Sequence, residues 1–314
     1  MQYFFKRLLI FLIPVALYAL LVIIIDPYNY FSISKGIINN DIKKSISNKI
    51  SNPLYELVEF EKHPSPYVLL GSSQTGLLTP DIIQEYTGHK FENMSYGGGT
   101  LPELIATFWE INKHTQLKEV YMGISFIDFN GSQYRNRIPE ALKIKANFLS
   151  YIFSKSALEA TFLILKATIL NAKVEIGKPD MSEDKFWTYQ LDVTANRFYA
   201  NHSYPVNYYE SLKKIAAYCT EQNIKLVFFI PPSHVDLQKK VIEFKIQADE
   251  NKFKEDINKL GDVYDFNYPN AITKERSNFS DPFHITSNVC RAVVQDIFTD
   301  KKSVANFSKC TGGK

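Results

Sequence analysis

Cysteine is scarce in this chain. Cys219, Cys290 and Cys310 are the only three among 314 residues. Their count is odd and their spacing matches no metal site, which excludes a cysteine-built metal centre. Cys219 and Cys290 fall in amphipathic helical stretches and read as core residues. An oxidising compartment permits one disulfide, and the spacing selects no pair. An excess of one charge is also missing. There are 36 Lys and Arg against 33 Asp and Glu, a net charge of +3. The lysines are scattered, which argues against a nucleic-acid partner. A phosphate loop is absent too. The glycine-rich segment Asn93-Met94-Ser95-Tyr96-Gly97-Gly98-Gly99-Thr100 lacks the Lys-Ser/Thr ending that nucleotide binding requires.

One long hydrophobic run is present, at 8–25, about the length needed to cross a bilayer. Pro14 is tolerable in a membrane helix. No small-residue cleavage site follows, because Ile23-Ile24-Ile25-Asp26-Pro27 comes next, so an uncleaved anchor is expected rather than a signal peptide. Lys6 and Arg7 favour a cytoplasmic N-terminus, with the rest of the chain outside the cytoplasm. The expected organisation is a cytoplasmic end at 1–7, a single-pass anchor in the cytoplasmic membrane at 8–25 and a polar stalk with a helical piece at 26–66. A folded domain at 67–300 and a disordered Lys/Ser/Gly-rich tail at 301–314 follow.

Within 67–300 strand and helix signals alternate. Strands are expected at 68–70, 90–94, 120–126, 225–230 and 263–266. Thr79-Pro80-Asp81 and Thr100-Leu101-Pro102-Glu103 open helices, the second as a capping box. Further helices are expected at 208–222, 241–260 and 286–298. Strands apolar on both faces and alternating with helices specify an α/β fold with a parallel sheet covered on both sides. Residues 131–205 break the alternation and read as a helical insertion. Its apolar stretch 148–170 carries Lys155, Glu159 and Lys166, each costly at bilayer depth, so a second span is not expected. An extra packing layer beside the site is the simpler expectation, and a lid or a membrane-facing surface the sharper one.

In α/β sheets ligands bind beyond the carboxyl ends of the strands. Gly71-Ser72-Ser73-Gln74-Thr75 follows the first strand directly. Asp281-Pro282-Phe283-His284 precedes the last helix. A serine hydroxyl becomes a useful nucleophile when an imidazole takes its proton and an acid orients that imidazole. The glycine-rich segment 93–100 exposes backbone N–H groups of the kind an oxyanion needs. His234, after Pro231-Pro232, is the rival histidine and a candidate substrate contact.

These segments, in this order, resemble the SGNH (GDSL-type) hydrolase superfamily over about 66–298, outside the insertion. Ser73 stands in the nucleophile position, and Ser72 where the usual acid stands. Gly98 matches the oxyanion glycine, and Asp281 and His284 match the acid and base. In the third block, Gly123-Ile124-Ser125-Phe126, Ser125 replaces the oxyanion asparagine, and Asn130 lies too far along to substitute. The resemblance implies a three-layer α/β/α fold and a catalytic set of Ser73, Asp281 and His284. It implies an oxyanion hole from Gly98 and Ser125, with the Ser73 N–H, and substrate contacts from Ser72, Gln74, Gly97, Asn93 and His234. No metal or organic cofactor is expected. The anchored, outward-facing form resembles proteins of bacterial envelope polysaccharide O-acetylation and teichoic acid D-alanylation. That resemblance implies acyl transfer or ester hydrolysis on an envelope glycan, beside a multi-pass membrane acyltransferase. The alternative is a non-catalytic glycan-binding or scaffold protein. Ser72 and Ser73 are adjacent, and in an extended segment only one of them can face the cleft.

Overall fold

The computed structural model describes residues 2–33, 38–170 and 181–312. The other positions fall in the expected cytoplasmic end, stalk, insertion and tail, and those expectations lie outside the described residues there. The chain divides into two compact units, Met1–His63 with Arg137–Lys178, and Pro64–Asn136 with Pro179–Lys314.

The second unit holds every strand of the described residues. These are β1 (Tyr67–Gly71), β2 (Glu92–Ser95), β3 (Glu119–Gly123), β4 (Lys225–Ile230), β5 (Asp262–Asp265), β6 (Phe279–Asp281), β7 (His284–Ile285) and β8 (Asn306–Ser308). Six of them form a sheet in the order β2-β1-β3-β4-β5-β8, and β6 and β7 pair separately. The first five are parallel and β8 is antiparallel to β5. The fold is therefore mixed α/β around a mostly parallel sheet. Its order reverses between β1 and β3, which is where open α/β sheets bind ligands.

Residue alternation explains why both faces are covered. Leu69, Tyr121 and Val227 are in register and share one face. They join a core with Ile83 of helix Pro80–Thr87 and Val289, Val293 and Ile297 of helix Ser287–Phe298. Val68, Leu70, Val120, Met122 and Phe228 alternate with them and are also buried. Helices Leu101–Ile111 and Val206–Glu221 pack on β1 and β4 respectively and on each other. Helix Leu101–Ile111 begins with the capping box at Thr100 and Glu103.

Three features depart from the sequence expectation. β3 ends at Gly123 rather than 126, because the chain turns there: Asp128 N and Phe129 N donate back to Ser125 O. The helix expected at 241–260 is two, Val235–Glu243 and Gln247–Asn258, broken where Lys245 takes φ +58°. The tail expected to be disordered carries β8. Buried Asp296 holds it, accepting from Ser303 N at 2.9 Å, Ser303 Oγ at 2.8 Å, and Val304 N and Ala305 N at 2.7 Å each.

The first unit is helical: Gln2–Ile25, Asn40–Lys62, Ile138–Lys145, Phe148–Ile152 and Lys155–Leu170. The segment expected as a stalk is largely helix Asn40–Lys62, kinked at Ser51 (φ −150°, ψ 87°) just before Pro53. Its apolar stripe is buried: Ile46 clusters with Ile25, Ile38, Ile164 and Ala167. The expected insertion is thus divided, with residues from 137 joining the N-terminal segment and residues from 179 joining the sheet. Asp26, fully buried, closes this unit. Its Oδ2 accepts from Phe31 N (3.1 Å) and Ser32 N (2.8 Å), and its Oδ1 from the Tyr151 hydroxyl (3.1 Å). Among the described residues no helix is long and apolar enough to cross a membrane. The side chains at positions 2, 5, 8 and 9 lie outside the description, and two of them belong to the expected anchor.

Candidate active site

The site is built at the carboxyl ends of β1, β2 and β3. After β1 the chain enters a single turn, Ser73–Thr75, closed by Thr75 N donating to Ser72 O at 3.1 Å. Thr75 is buried between two glycines. A Cβ at Gly71 or at Gly123 would collide with its side chain, so both positions need glycine for this turn to sit on the strand ends. Asn93 supports the turn from β2, its Nδ2 donating to Thr75 O (3.1 Å) and Leu78 O (2.9 Å). Gln74 ties the turn to the β6–β7 hairpin, its Nε2 donating to Phe283 O at 3.1 Å.

That hairpin carries Asp281 and His284. Asp281 Oδ1 accepts from Phe283 N (2.8 Å) and His284 N (3.2 Å), folding the four residues into a tight turn. Its Oδ2 lies 2.7 Å from His284 Nδ1. On the other side of the ring, His284 Nε2 lies 2.8 Å from Ser73 Oγ. Serine hydroxyl, imidazole and carboxylate therefore form one hydrogen-bonded line, with Ser73 and His284 211 residues apart in sequence.

The adjacent serine joins a different circuit. Ser72 Oγ donates to Asp128 Oδ2 at 2.9 Å, and Ser125 Oγ donates to the same oxygen at 2.8 Å. Burial pushes the Asp128 carboxyl above its ordinary range, against these hydroxyls and the nearby His284. Ser125 was expected in the oxyanion hole, and its hydroxyl is committed to Asp128. Gly98 takes φ +58°, its carbonyl held by Arg135 Nη2. Among the described residues neither Ser73 N–H nor Gly98 N–H donates to a protein acceptor, so both remain able to receive an oxyanion.

A cleft of about 290 Å³ opens here, and Ser72, Ser73, Gln74, Gly98, Asp128 and His284 all line it; both serines reach it, against the expectation for an extended segment, because Ser73 starts a turn. Gln190, Thr194 and Phe198 close another side, four residues apart on the helical stretch that runs through the π-turn Gln190–Ala195. π-turns are rare and frequent at functional sites. Among the described residues the buried Gln74 Oε1 has no hydrogen-bond partner.

Three expected contacts fall elsewhere. Gly97 and Asn93 do not line the cleft. His234 is buried as the N-cap of Val235–Glu243, its Nδ1 accepting from Asp236 N at 3.2 Å, and it packs edge-on against Trp187 and Phe279. Burial lowers its pKa. Asn130 is also structural, accepting from Ser132 N (3.0 Å) and Ser203 N (3.2 Å). The sequence places 125–128 beyond a strand end but gives Asp128 no role, although Ser125-x-x-Asp128 directly after a strand is a readable turn signature. Sequence reasoning missed Gln190, Thr194 and Phe198 because no local pattern marks a π-turn. Among the described residues no group of three or more His, Cys, Asp or Glu could hold a metal ion. No protein-family model matches the chain, and no curated protein is significantly similar to it.

Proposed function

We propose that this chain is an SGNH-type serine enzyme of three-layer α/β/α build that transfers or hydrolyses an acyl ester on an envelope glycan. The observation that carries this reading is His284, with Ser73 Oγ 2.8 Å from one ring nitrogen and Asp281 Oδ2 2.7 Å from the other. Asp281 fixes the tautomer with the proton on Nδ1, which leaves Nε2 as the base. Ser73 Oγ attacks the acyl carbonyl carbon as its proton passes to Nε2. The oxyanion is met by the N–H groups of Ser73 and Gly98. The C–O bond to the leaving alcohol breaks, and that alcohol takes the proton from Nε2. A glycan hydroxyl or water then gives its proton to Nε2, attacks the acyl-serine and releases Ser73 Oγ, which recovers the proton.

The run at 8–25, with Lys6 and Arg7 before it, supports an N-terminal anchor in the cytoplasmic membrane and a site facing outward. A multi-pass membrane acyltransferase is the partner this topology suits. A second reading, a non-catalytic glycan-binding or scaffold protein, is favoured by one observation: Ser125 stands where an oxyanion side chain is needed and donates to Asp128 instead. Fluorophosphonate labelling of the purified protein separates the two. The enzyme reading expects stoichiometric label on Ser73, lost in Ser73→Ala. A folded protein that takes no label at Ser73 is the scaffold.

A further inference from the structure

Helix Lys155–Leu170 is inverted relative to a solvated helix, and Phe148–Ile152 before it exposes Phe148 and Leu149 while burying Tyr151 and Ile152. Small residues face inward: Ala157, Ala160 and Ala167 are buried with Ile164. Large ones face outward. Phe148 is 55% exposed, Phe153 54%, Phe162 54% and Ile169 70%. Leu158, Phe162 and Ile169 follow helical spacing, so they form one stripe. A contiguous apolar face on this scale marks an interaction surface.

Two observations indicate what covers it. The first is continuity with helix Gln2–Ile25. Tyr18 of that helix donates its hydroxyl to Ile152 O at 2.6 Å, and its ring lies 5.9 Å from that of Phe153. Phe11, Leu17 and Leu20 on the same helix are exposed as well. The second is charge. Residues 137–170 carry five basic side chains, Arg137, Lys143, Lys145, Lys155 and Lys166, against Glu140 and Glu159; Lys145 is engaged by Glu61 and Lys155 pairs with Glu159 at the surface. Lys155 and Lys166 are exposed on the helix that bears the stripe. Aromatic and aliphatic residues bordered by lysines suit the boundary between headgroups and acyl chains, where lysine stems lie in the apolar layer and their ammonium groups meet anionic headgroups.

We propose that the face formed by Phe148–Ile152 and Lys155–Leu170 lies in the surface of an anionic bilayer, beside helix Gln2–Ile25 and without crossing. Lys155, Glu159 and Lys166 keep it at the interface, since each is costly at the bilayer centre. The inference rests on the anchored topology proposed above and not on the chemistry of Ser73.

Site-directed spin labelling tests it in the full-length protein, reconstituted into vesicles containing phosphatidylglycerol. Cys310, the one exposed cysteine among the described residues, is first replaced by serine. Nitroxides are placed at Phe162→Cys and Ile169→Cys, with Leu17→Cys as the anchor reference and Ala217→Cys as the aqueous one. The expected result is a ratio of oxygen to nickel-chelate accessibility several-fold above that at Ala217 for both 162 and 169. Water-like values at 162 and 169 overturn the proposal, whatever Leu17 reports. Protection from both reagents overturns it in favour of a protein partner. A water-like Leu17 sinks the anchored topology and the proposal with it, whereas a lipid-like Leu17 with water-like 162 and 169 sinks the proposal alone.

Discussion

Asp26 in the helical unit and Asp128 in the sheet unit are both carboxyls that burial pushes above their ordinary range. They are used differently. Asp26 spends both oxygens inside its unit, on Phe31 N, Ser32 N and the Tyr151 hydroxyl, with Lys43 as a nearby countercharge. Asp128 gathers Ser72 and Ser125 on a single oxygen and lines the cleft beside Ser73. A buried acid satisfied on both oxygens closes a structure. One that gathers serine hydroxyls beyond the end of a strand and faces a cleft is the kind found at a site. If that contrast is right, substitutions in the two regions should separate stability from chemistry.

The largest effect is expected at the serine wired to His284. Ser73→Ala should abolish fluorophosphonate labelling and lower ester turnover by about 10³-fold or more, with the fold intact by circular dichroism. Ser72→Ala removes one hydroxyl donor from Asp128 and should cost less than about tenfold. Full turnover in Ser73→Ala would transfer the nucleophile's role away from this line of residues.

The sheet and its site are legible from sequence to different depths than the helical unit. Apolar strands such as Leu226-Val227-Phe228 announce themselves, because burial on both faces demands continuous apolar residues. Ser73, Asp281 and His284 are legible because the chemistry restricts residue type and each sits at an element end. The choice of Ser73 over Ser72 is not legible, since it depends on which side chain meets Asp128 and which meets His284. The helical unit reads as a stalk plus an insertion because its core is assembled from distant parts of the chain, Ile25 and Ile46 against Ile164. No local pattern carries such pairing. The tail misleads for a similar reason: its composition is that of a disordered end, and its order comes from residues earlier in the chain, Asp296 holding 303–305, β5 pairing with β8, and Asn258 and Asp262 holding 308–310.

Asp26→Ala should come next, as a stability effect. It leaves the buried Tyr151 hydroxyl without its acceptor, releases the less buried Phe31 and Ser32 N–H groups and removes a countercharge from Lys43, costing about 2 kcal/mol. Hydrogen exchange should show this loss in the helical unit, while Ser73 in the native fraction still labels. Equal loss of labelling in the native fraction would erase the distinction between structural and functional acids.

Asp296→Ala should cost no more, about 2 kcal/mol, and act locally. Burial works against its charge, but the N–H groups of Ala305, Ser303 and Val304 hold the carboxyl below its ordinary value of 3.8. Its contribution is therefore present above that value and lost as pH falls through the lowered one. Exchange at 303–308 should accelerate in the variant at neutral pH, and in the parent only on strong acidification. Unchanged exchange would mean that pairing with β5 suffices to hold β8.

The smallest expected effect is the pH dependence of Asp128→Asn. In the folded chain the Asp128 carboxyl holds its proton more tightly than in the unfolded chain, whose ordinary value is 3.8. Between the ordinary and the raised value the folded state binds more protons, so the contribution of this group to stability falls as pH rises through that window. Below the window the carboxyl is neutral in both states and the asparagine variant should match the parent. Above it the parent holds a buried charge, and the variant, neutral throughout, should be the more stable of the two. Asparagine keeps an acceptor for Ser72 and Ser125, so the turn that carries Ser73 should persist. Paired urea titrations at several pH values should show the two stabilities diverging as pH rises. Parallel curves would mean that Asp128 keeps its ordinary pKa, and its resemblance to Asp26 would then end with geometry.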